Sequence, residues 1–523
     1  MIHNVYMTHE HKSKPLDLET RIRLIQSHDD FPALSNTISE INEVVSSETS
    51  SIQALSSIIL EDFSLTNNLL KVVNTVSYSQ FGGKISTISK AVVILGFDVV
   101  RNIATSLILL DFLENKSQSE QISDKVIAAY FVGLTSRQLT INQQASNYEE
   151  AMICGIFHHL GHLLSIFYFY EESQQVNQLI AEGISEHEAS RRILGVSYDN
   201  LGVEVAKIWK LPQQILQGMQ GLPDDKIKPP SNEFSQLRLT VNLANELSAI
   251  AANENKHDKH KSIQALVAKY KKALPIDVAS LQKVLEQSLK EVSARGNIVK
   301  LAAKSSPWLQ RVTDYTNGSL TKSDKASDIT KTEQSTTLDS NALMQNESPS
   351  ANKETGEAIL EAGINDIMNT LIGEFNLNDV LQMILETMYR GLQCHRVLLF
   401  IRDNKTHTMR ARSGYGANVD QALPLFKFSL DYTADVFHLS VGKGADIVIA
   451  DTTTETVSSK IPKWYKEVSN AKSFLLLPIM IKDNAVGCFY ADSKSTHGFD
   501  ETSKELGLLR TLRNQAVLAI KQH

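Results

Sequence analysis

The amino-acid sequence predicts a multidomain chain of two fold classes, an all-α helical bundle in the N-terminal part and an α+β domain with a central antiparallel sheet in the C-terminal part. Three observations lead there. Up to Ala303 the apolar residues recur at helical spacing with no β alternation. A stretch rich in Ser, Thr, Lys, Asp and Asn follows, and from Arg396 onward short apolar runs alternate with turn residues. At 523 residues the chain exceeds what one core can organise, and length alone suggests about three domains.

Composition narrows the class. With 42% hydrophobic and 21% charged residues the chain reads as globular, and a net charge of -7 gives no basic surplus to favour nucleic acid as a partner. Cys154, Cys394 and Cys488 lie far apart and form no CxxC pair, which argues against a disulfide framework and a cysteine zinc site and fits a reducing cytoplasm. The opening MIHNVYMTHEHKSKP has no apolar core of signal-peptide length. The most apolar stretch, AMICGIFHHLGHLLSIFYFY from Ala151 to Tyr170, is interrupted by His158, His159 and His162. Three imidazoles and a glycine argue for a buried core helix over a membrane span, so a cytoplasmic protein is expected.

The N-terminal helices follow from spacing and punctuation. Ile38, Ile41, Val44 and Val45 share one face, as do Ile52, Leu55, Ile58 and Ile59. Ser64 can cap a helix with Leu65, Leu69, Val72 and Val76 inward, and Gly82-Gly83 then breaks the chain. Ser86 or Thr87 starts the next helix, Gly96 ends it, and Asp98 can cap the one after. Beyond Glu233 further helices carry Leu237, Val241, Ala244 and Leu247 on one face, while the basic run from Lys256 to Lys261 reads as a solvated loop.

FPALSNTISEINEVV, ILEDFSLTNNLLKVVN, ISTISKAVVILGFDVVRNIA, GIFHHLGHLLS and LGVSYDNLGVEVAKIWKLPQQI stand in the order and spacing of the HDOD domain, which the chain resembles over residues 20–222. The resemblance implies an all-helical, non-catalytic relative of the HD metal-dependent phosphohydrolases, found in bacterial signalling proteins. Asp62-Phe63 replaces the family's usual Asp-Pro, and Asn74-Thr75-Val76 its Asn-Ser-Ala. Residues 1–19 read as a polar leader, 223–303 as additional helices on the bundle, and 304–356 as a flexible linker whose composition changes from Thr313.

In residues 357–523, two helices precede the strand candidates RVLLFIRD, TMRARSGYG, FKFSL, DIVIAD, SFLLLPIMI and VGCFYAD, and a final helix runs from Asp500 to Lys521. Lys482-Asp483-Asn484-Ala485 is a good hairpin turn because Asp and Asn tolerate positive φ. This succession, with LPIMIKDNAVGCFYADS and LLRTLRNQAVLAI, looks like a GAF domain. The resemblance implies a small-ligand sensor or a dimerisation module and leaves the ligand open. Leu509, Leu512, Ala516 and Ile520 suit either a homodimer contact or packing on the sheet.

His158 and His162, four apart, could present two imidazoles on one face as in HExxH zinc helices, but His159 stands where the general-base glutamate would be. Cys154, His158, Gly161 and Ser165 instead form a seam suited to close helix packing. By resemblance, a catalytic HD domain needs a His-Asp pair at His158-His159, a histidine near Tyr130 and a later Asp, because hard metal ions want carboxylate oxygen. Tyr198 stands where many relatives have a further His. His158, His159, His162 and Tyr130 therefore read as vestigial site positions, with no metal, no cofactor and no catalytic residue predicted. Asp199 could replace the lost carboxylate, although N-capping explains it as well.

In the GAF part, Ser493-Lys494 and Phe499-Asp500-Glu501 reproduce the cyclic-nucleotide motif only partly, and Asp500 more simply caps the last helix. Cys394-His395 has the bilin-attachment dipeptide but precedes the first strand. Asp451, Trp464 and Tyr465 are the pocket candidates, under a variable roof from Thr433 to Asn470. The expected function is non-enzymatic signal transduction with other signalling proteins as partners, neither nucleic acid nor membrane, and a small molecule at the GAF domain. The alternatives are a metal-dependent phosphohydrolase of cyclic dinucleotides with a histidine-rich site, and a cyclic-nucleotide receptor that acts by binding alone.

Overall fold

The computed structural model describes residues 15–47, 51–75, 84–116, 120–145, 147–222, 227–253, 259–295, 306–323, 355–499 and 503–523. Among the described residues the N-terminal part is helical: α1 (Leu18–Gln26), α2 (Phe31–Ser46), α3 (Ile52–Glu61), α4 (Phe63–Val73), α5 (Ile88–Leu95), α6 (Phe97–Lys116), α7 (Glu120–Asn142), α8 (Tyr148–Phe157), α9 (Leu160–Tyr168), α10 (Tyr170–Ala181), α11 (Glu186–Leu194), α12 (Tyr198–Ile208), α13 (Gln213–Gly218), α14 (Glu233–Ala252), α15 (Lys259–Tyr270), α16 (Val278–Arg295) and α17 (Pro307–Ser323). The C-terminal part runs α18 (Gly356–Ile372), α19 (Leu377–Leu392), β1 (Arg396–Asp403), β2 (Thr408–Gly416), α20 (Val419–Ala422), β3 (Lys427–Ser429), α21 (Val436–Lys443), β4 (Ile447–Ile449), α22 (Glu455–Ser458), α23 (Lys463–Val468), β5 (Ser473–Ile481), β6 (Asn484–Ser493) and α24 (Lys504–Gln522). Two compact units result, one from Met1–Ser47 with Arg101–Asp328 and the other from Glu48–Val100 with Ile329–His523.

In the first unit α7 lies along α8, and α14 packs on α7, α8, α13 and α17. The wholly buried Trp209 stacks on Phe31 at 6.1 Å between ring centroids and lies equally close to Phe157, joining α2, α8 and the end of α12. Taken across its internal turn, Tyr148–Tyr168 is long and apolar enough to cross a membrane by composition, but 78% of that window is buried inside the structure. Its apolar character is therefore used in the protein core.

The second unit contains a six-stranded antiparallel sheet ordered β3-β2-β1-β6-β5-β4. Strand alternation divides its side chains between two cores. Val397, Leu399, Leu475, Leu477, Phe489 and Ala491 face α18, α19 and α24, while Leu398, Phe400, Phe474, Leu476, Cys488 and Tyr490 face the segments between β2 and β5. Leu509, Leu512 and Ala516 of α24 are buried in the helical-side core, with Ile520 packed against it, so within the unit they serve packing on the sheet.

Several local expectations change. The stretch expected as one helix from Ala151 to Tyr170 is two helices joined by a turn at His158-His159. The cap of α4 is Asp62, whose carboxylate accepts from the Ser64 and Leu65 amides, in place of Ser64. Asp98 lies inside the first turn of α6, because α6 already begins at Phe97. Ser503 caps α24, while Val76, Gly82-Gly83 and Asp500-Glu501 fall outside the described residues. The hairpin turn is Lys482-Asp483, the positive φ of 54° falls on Lys482, and Asn484 already belongs to β6.

Two segments expected to be irregular are helical. Residues 307–323, assigned to the linker, form α17, because Trp308, Leu309 and Val312 supply an apolar stripe that the polar average of the window conceals. Trp308 meets Phe131 edge-on at 5.4 Å. Within the basic run, Lys259, His260 and Lys261 open α15, where Lys259 is buried and its ammonium donates to the Ala251 carbonyl at 2.7 Å.

Candidate functional site

The histidine positions sit where α8 passes into α9. The His159 amide reaches back to the Ile156 carbonyl, tightening the backbone before α9 resumes with Leu163 bonded to His159. The turn gives the three rings separate surroundings. His158 Nδ1 lies 2.8 Å from the Met219 carbonyl oxygen and its Nε2 lies 3.2 Å from Asn245 Nδ2. An amide nitrogen can only donate, so Nε2 accepts and the proton sits on Nδ1, which donates to Met219.

His162 is buried and stacks on Tyr198 at 4.5 Å with the planes 5° apart. The stack depends on a close crossing of α9 and α12. A Cβ on Gly161 would stand 1.9 Å from the Tyr198 carbonyl oxygen and 2.8 Å from the Gly202 amide nitrogen, so only glycine fits there. Burial lowers the His162 pKa to about 3, with Lys125 contributing. The His159 pKa also falls well below its ordinary value, chiefly through burial and then through His158, His162 and Lys125. Both rings are neutral at pH 7.

Among the described residues no group of three or more His, Cys, Asp and Glu side chains is placed to hold a metal ion. Of the three rings, His158 has both nitrogens engaged by protein, whereas Nε2 of His159 and Nε2 of His162 are buried with no hydrogen-bond partner among the described residues. Asp199 does not cap α12, since Ser197 does so. Its carboxylate instead accepts from the Gly221 amide at 3.2 Å, fixing the loop after α13. Tyr130 is buried on α7. Glu186, which opens α11 after its Ser185 cap, is an exposed carboxylate that feels the Lys125, His158 and Asp199 charges.

In the second unit the structure brings Trp464 and Tyr465 together and leaves Asp451 apart in a local turn. Asp451 accepts from the Thr453 amide and hydroxyl at 2.8 and 2.6 Å, bonds that lower its pKa. Trp464 stacks on Phe428 at 5.7 Å and meets Phe437 edge-on, while Tyr465 packs against Phe474. These rings pack together on the side of the sheet where the pocket was expected.

Beneath them runs a buried polar chain. Tyr465 and Tyr490 hydroxyls are 3.0 Å apart, and Tyr490 donates to Asp492 Oδ2 at 2.8 Å. Arg396 reaches the same oxygen at 2.7 Å, and His395 Nδ1 lies 3.1 Å from Oδ1. Cys394 is a protonated thiol, its pKa raised by burial and then by Asp492. A separate cleft of about 550 Å³ opens between α3, α19 and residues 415–421, with Ser57, Glu61, Tyr389 and Tyr415 on its walls.

The HDOD domain model matches residues 31–221 and the GAF domain model residues 376–520. An HDOD domain protein from Geobacter sulfurreducens is 20% identical, covering 55% of this chain and 99% of its own, with a TM-score of 0.40. A candidate phosphohydrolase from Shewanella amazonensis SB2B is 21% identical over 53% of this chain and 96% of its own, also with a TM-score of 0.40. The GAF domain of an Acinetobacter phosphoenolpyruvate-protein phosphotransferase is 15% identical over 31% of this chain and 92% of its own, with a TM-score of 0.26. No curated protein matches. The chain thus carries an HDOD domain at residues 31–221 and a GAF domain at residues 376–520, the combination of a signalling protein.

Proposed function

We propose that this is a non-enzymatic regulatory protein of the cytoplasm, in which the HDOD domain is a protein-interaction module and the GAF domain a small-ligand sensor or dimerisation module. The observation that carries this reading is His158, whose two ring nitrogens are committed to Met219 and Asn245. A water-activating metal centre would have to take one of them away and then find carboxylate oxygen. At the adjacent position His159 offers a half-buried neutral imidazole in place of the carboxylate.

The mechanism is linkage: a ligand or partner that prefers one state of the GAF domain shifts the surface that the helical domain presents to its own partner. Metal analysis of untagged full-length protein, together with turnover of a generic phosphodiester and of cyclic dinucleotides, tests the reading. Stoichiometric metal with metal-dependent hydrolysis would overturn it in favour of a phosphohydrolase. Thermal-shift screening of the full chain with cyclic nucleotides and tetrapyrroles then separates sensing from dimerisation. A concentration-dependent shift supports a sensor, and a flat response supports dimerisation.

A further inference from the structure

The second unit contains a contact that neither domain's family explains. Residues 48–100 lie inside the HDOD match, yet they cluster with the GAF part of the chain. The start of α5 is held by two carboxylates of the helices flanking the sheet. Glu386 of α19 accepts from the amides of Ile88 and Ser89, the latter at 2.7 Å, and from the Ser89 hydroxyl at 2.6 Å. Asp366 of α18 accepts from the Ser86 amide at 2.7 Å, from the Ser86 hydroxyl, and from the Lys90 ammonium at 2.7 Å. Arg390 donates to the Ser86 carbonyl. Glu386 and Ser89 are wholly buried, and Lys90 and Asp366 are 4% exposed.

A permanent core would be built more cheaply from apolar side chains, because a buried ion pair roughly cancels its own desolvation cost while fixing one arrangement. Each of these groups can also be rehydrated when the contact opens. The helix N-terminus supplies free amides, the carboxylates lie on helices at the edge of the domain, and Lys90 is an ordinary solvated cation once released.

We propose that α18 and α19 form an intramolecular docking surface for α5, and that the Asp366–Lys90 and Glu386–Ser89 contacts are a reversible latch tying the GAF domain to the HDOD domain. A shift of α19 weakens the hold on Ser89 and frees the α3 to α5 segment. This gives the coupling proposed above a physical path, and the contact itself is tested without reference to any ligand or turnover.

The test is hydrogen exchange on the full chain. The Ile88 and Ser89 amides are expected to be protected in the native protein, and Glu386→Ala to speed their exchange by about tenfold or more, with β5 and β6 unchanged. Lys90→Asp alone should open the same segment, and the charge swap Lys90→Asp with Asp366→Lys should restore part of the protection. Unchanged exchange in Glu386→Ala, an equal loss of protection in β5 and β6, or no recovery in the swap would overturn the latch. Failure there leaves the metal and ligand screens standing, so the two readings fall separately.

Discussion

Gly161→Ala is the sharpest test of how the histidine segment is built. Its Cβ would meet the Tyr198 carbonyl oxygen at 1.9 Å and the Gly202 amide nitrogen at 2.8 Å, and both are backbone atoms that no rotamer change can move aside. To relieve the overlap α9 and α12 must separate by roughly 1 Å, enough to forfeit a quarter to a half of each dispersion contact across the crossing. Leu160, Leu164, Leu201 and Val205, all wholly buried, lie on these two helices. The expected loss is about 3 kcal/mol, the upper end for overpacking a tight core. Equilibrium urea unfolding of the full chain by tryptophan fluorescence reads it, since Trp209 and Trp308 report the first unit and Trp464 the second. Gly507→Ala is the control: its Cβ meets nothing within 4 Å in α24, so a gain of about 0.5–1 kcal/mol is expected. A loss below about 1 kcal/mol for Gly161→Ala would refute the close-crossing argument.

Protonation of the histidine segment should weaken the same unit in acid. His162 titrates near 3 when folded and near 6.5 when unfolded, so its contribution is complete above pH 6.5 and is lost as the pH falls towards 3. At pH 5 this amounts to about 2 kcal/mol, and His162→Phe should flatten the urea midpoint between pH 7.5 and 5. In the GAF unit, Asp492→Ala strands the buried Arg396 and removes the acceptor of Tyr490, so thermal unfolding should show a loss of about 3–5 kcal/mol, whereas Tyr465→Phe should cost no more than about 1 kcal/mol. A smaller effect for Asp492→Ala than for Tyr465→Phe would contradict the order of the chain.

The legible parts of the site were those written in local spacing. Helix-period runs, a start at Ser86 or Thr87 and a stop at Gly96 for α5, and the β5–β6 hairpin were all readable, because each is fixed by neighbours a few residues away. The partners of His158 were not, since Met219 and Asn245 lie 61 and 87 residues further along. Trp464 and Tyr465 were singled out by residue type alone, and whether an aromatic lines a pocket or fills it depends on Phe428, Phe437 and Phe474 from other elements.

The sequence by itself determined the two fold classes, the family of each domain and the absence of a carboxylate beside His158, because periodicity and ordered motifs are properties of the chain. Only the tertiary structure decided that His158 is spent on protein, that Asp199 holds a loop, that residues 307–323 are helix, and that Glu386 grips α5 across 297 residues of sequence. The physical reason is common to all of these. Burial and hydrogen-bond satisfaction are set by which atoms meet in space, and a polar side chain gives no sign in the sequence of the distant backbone group that will complete it.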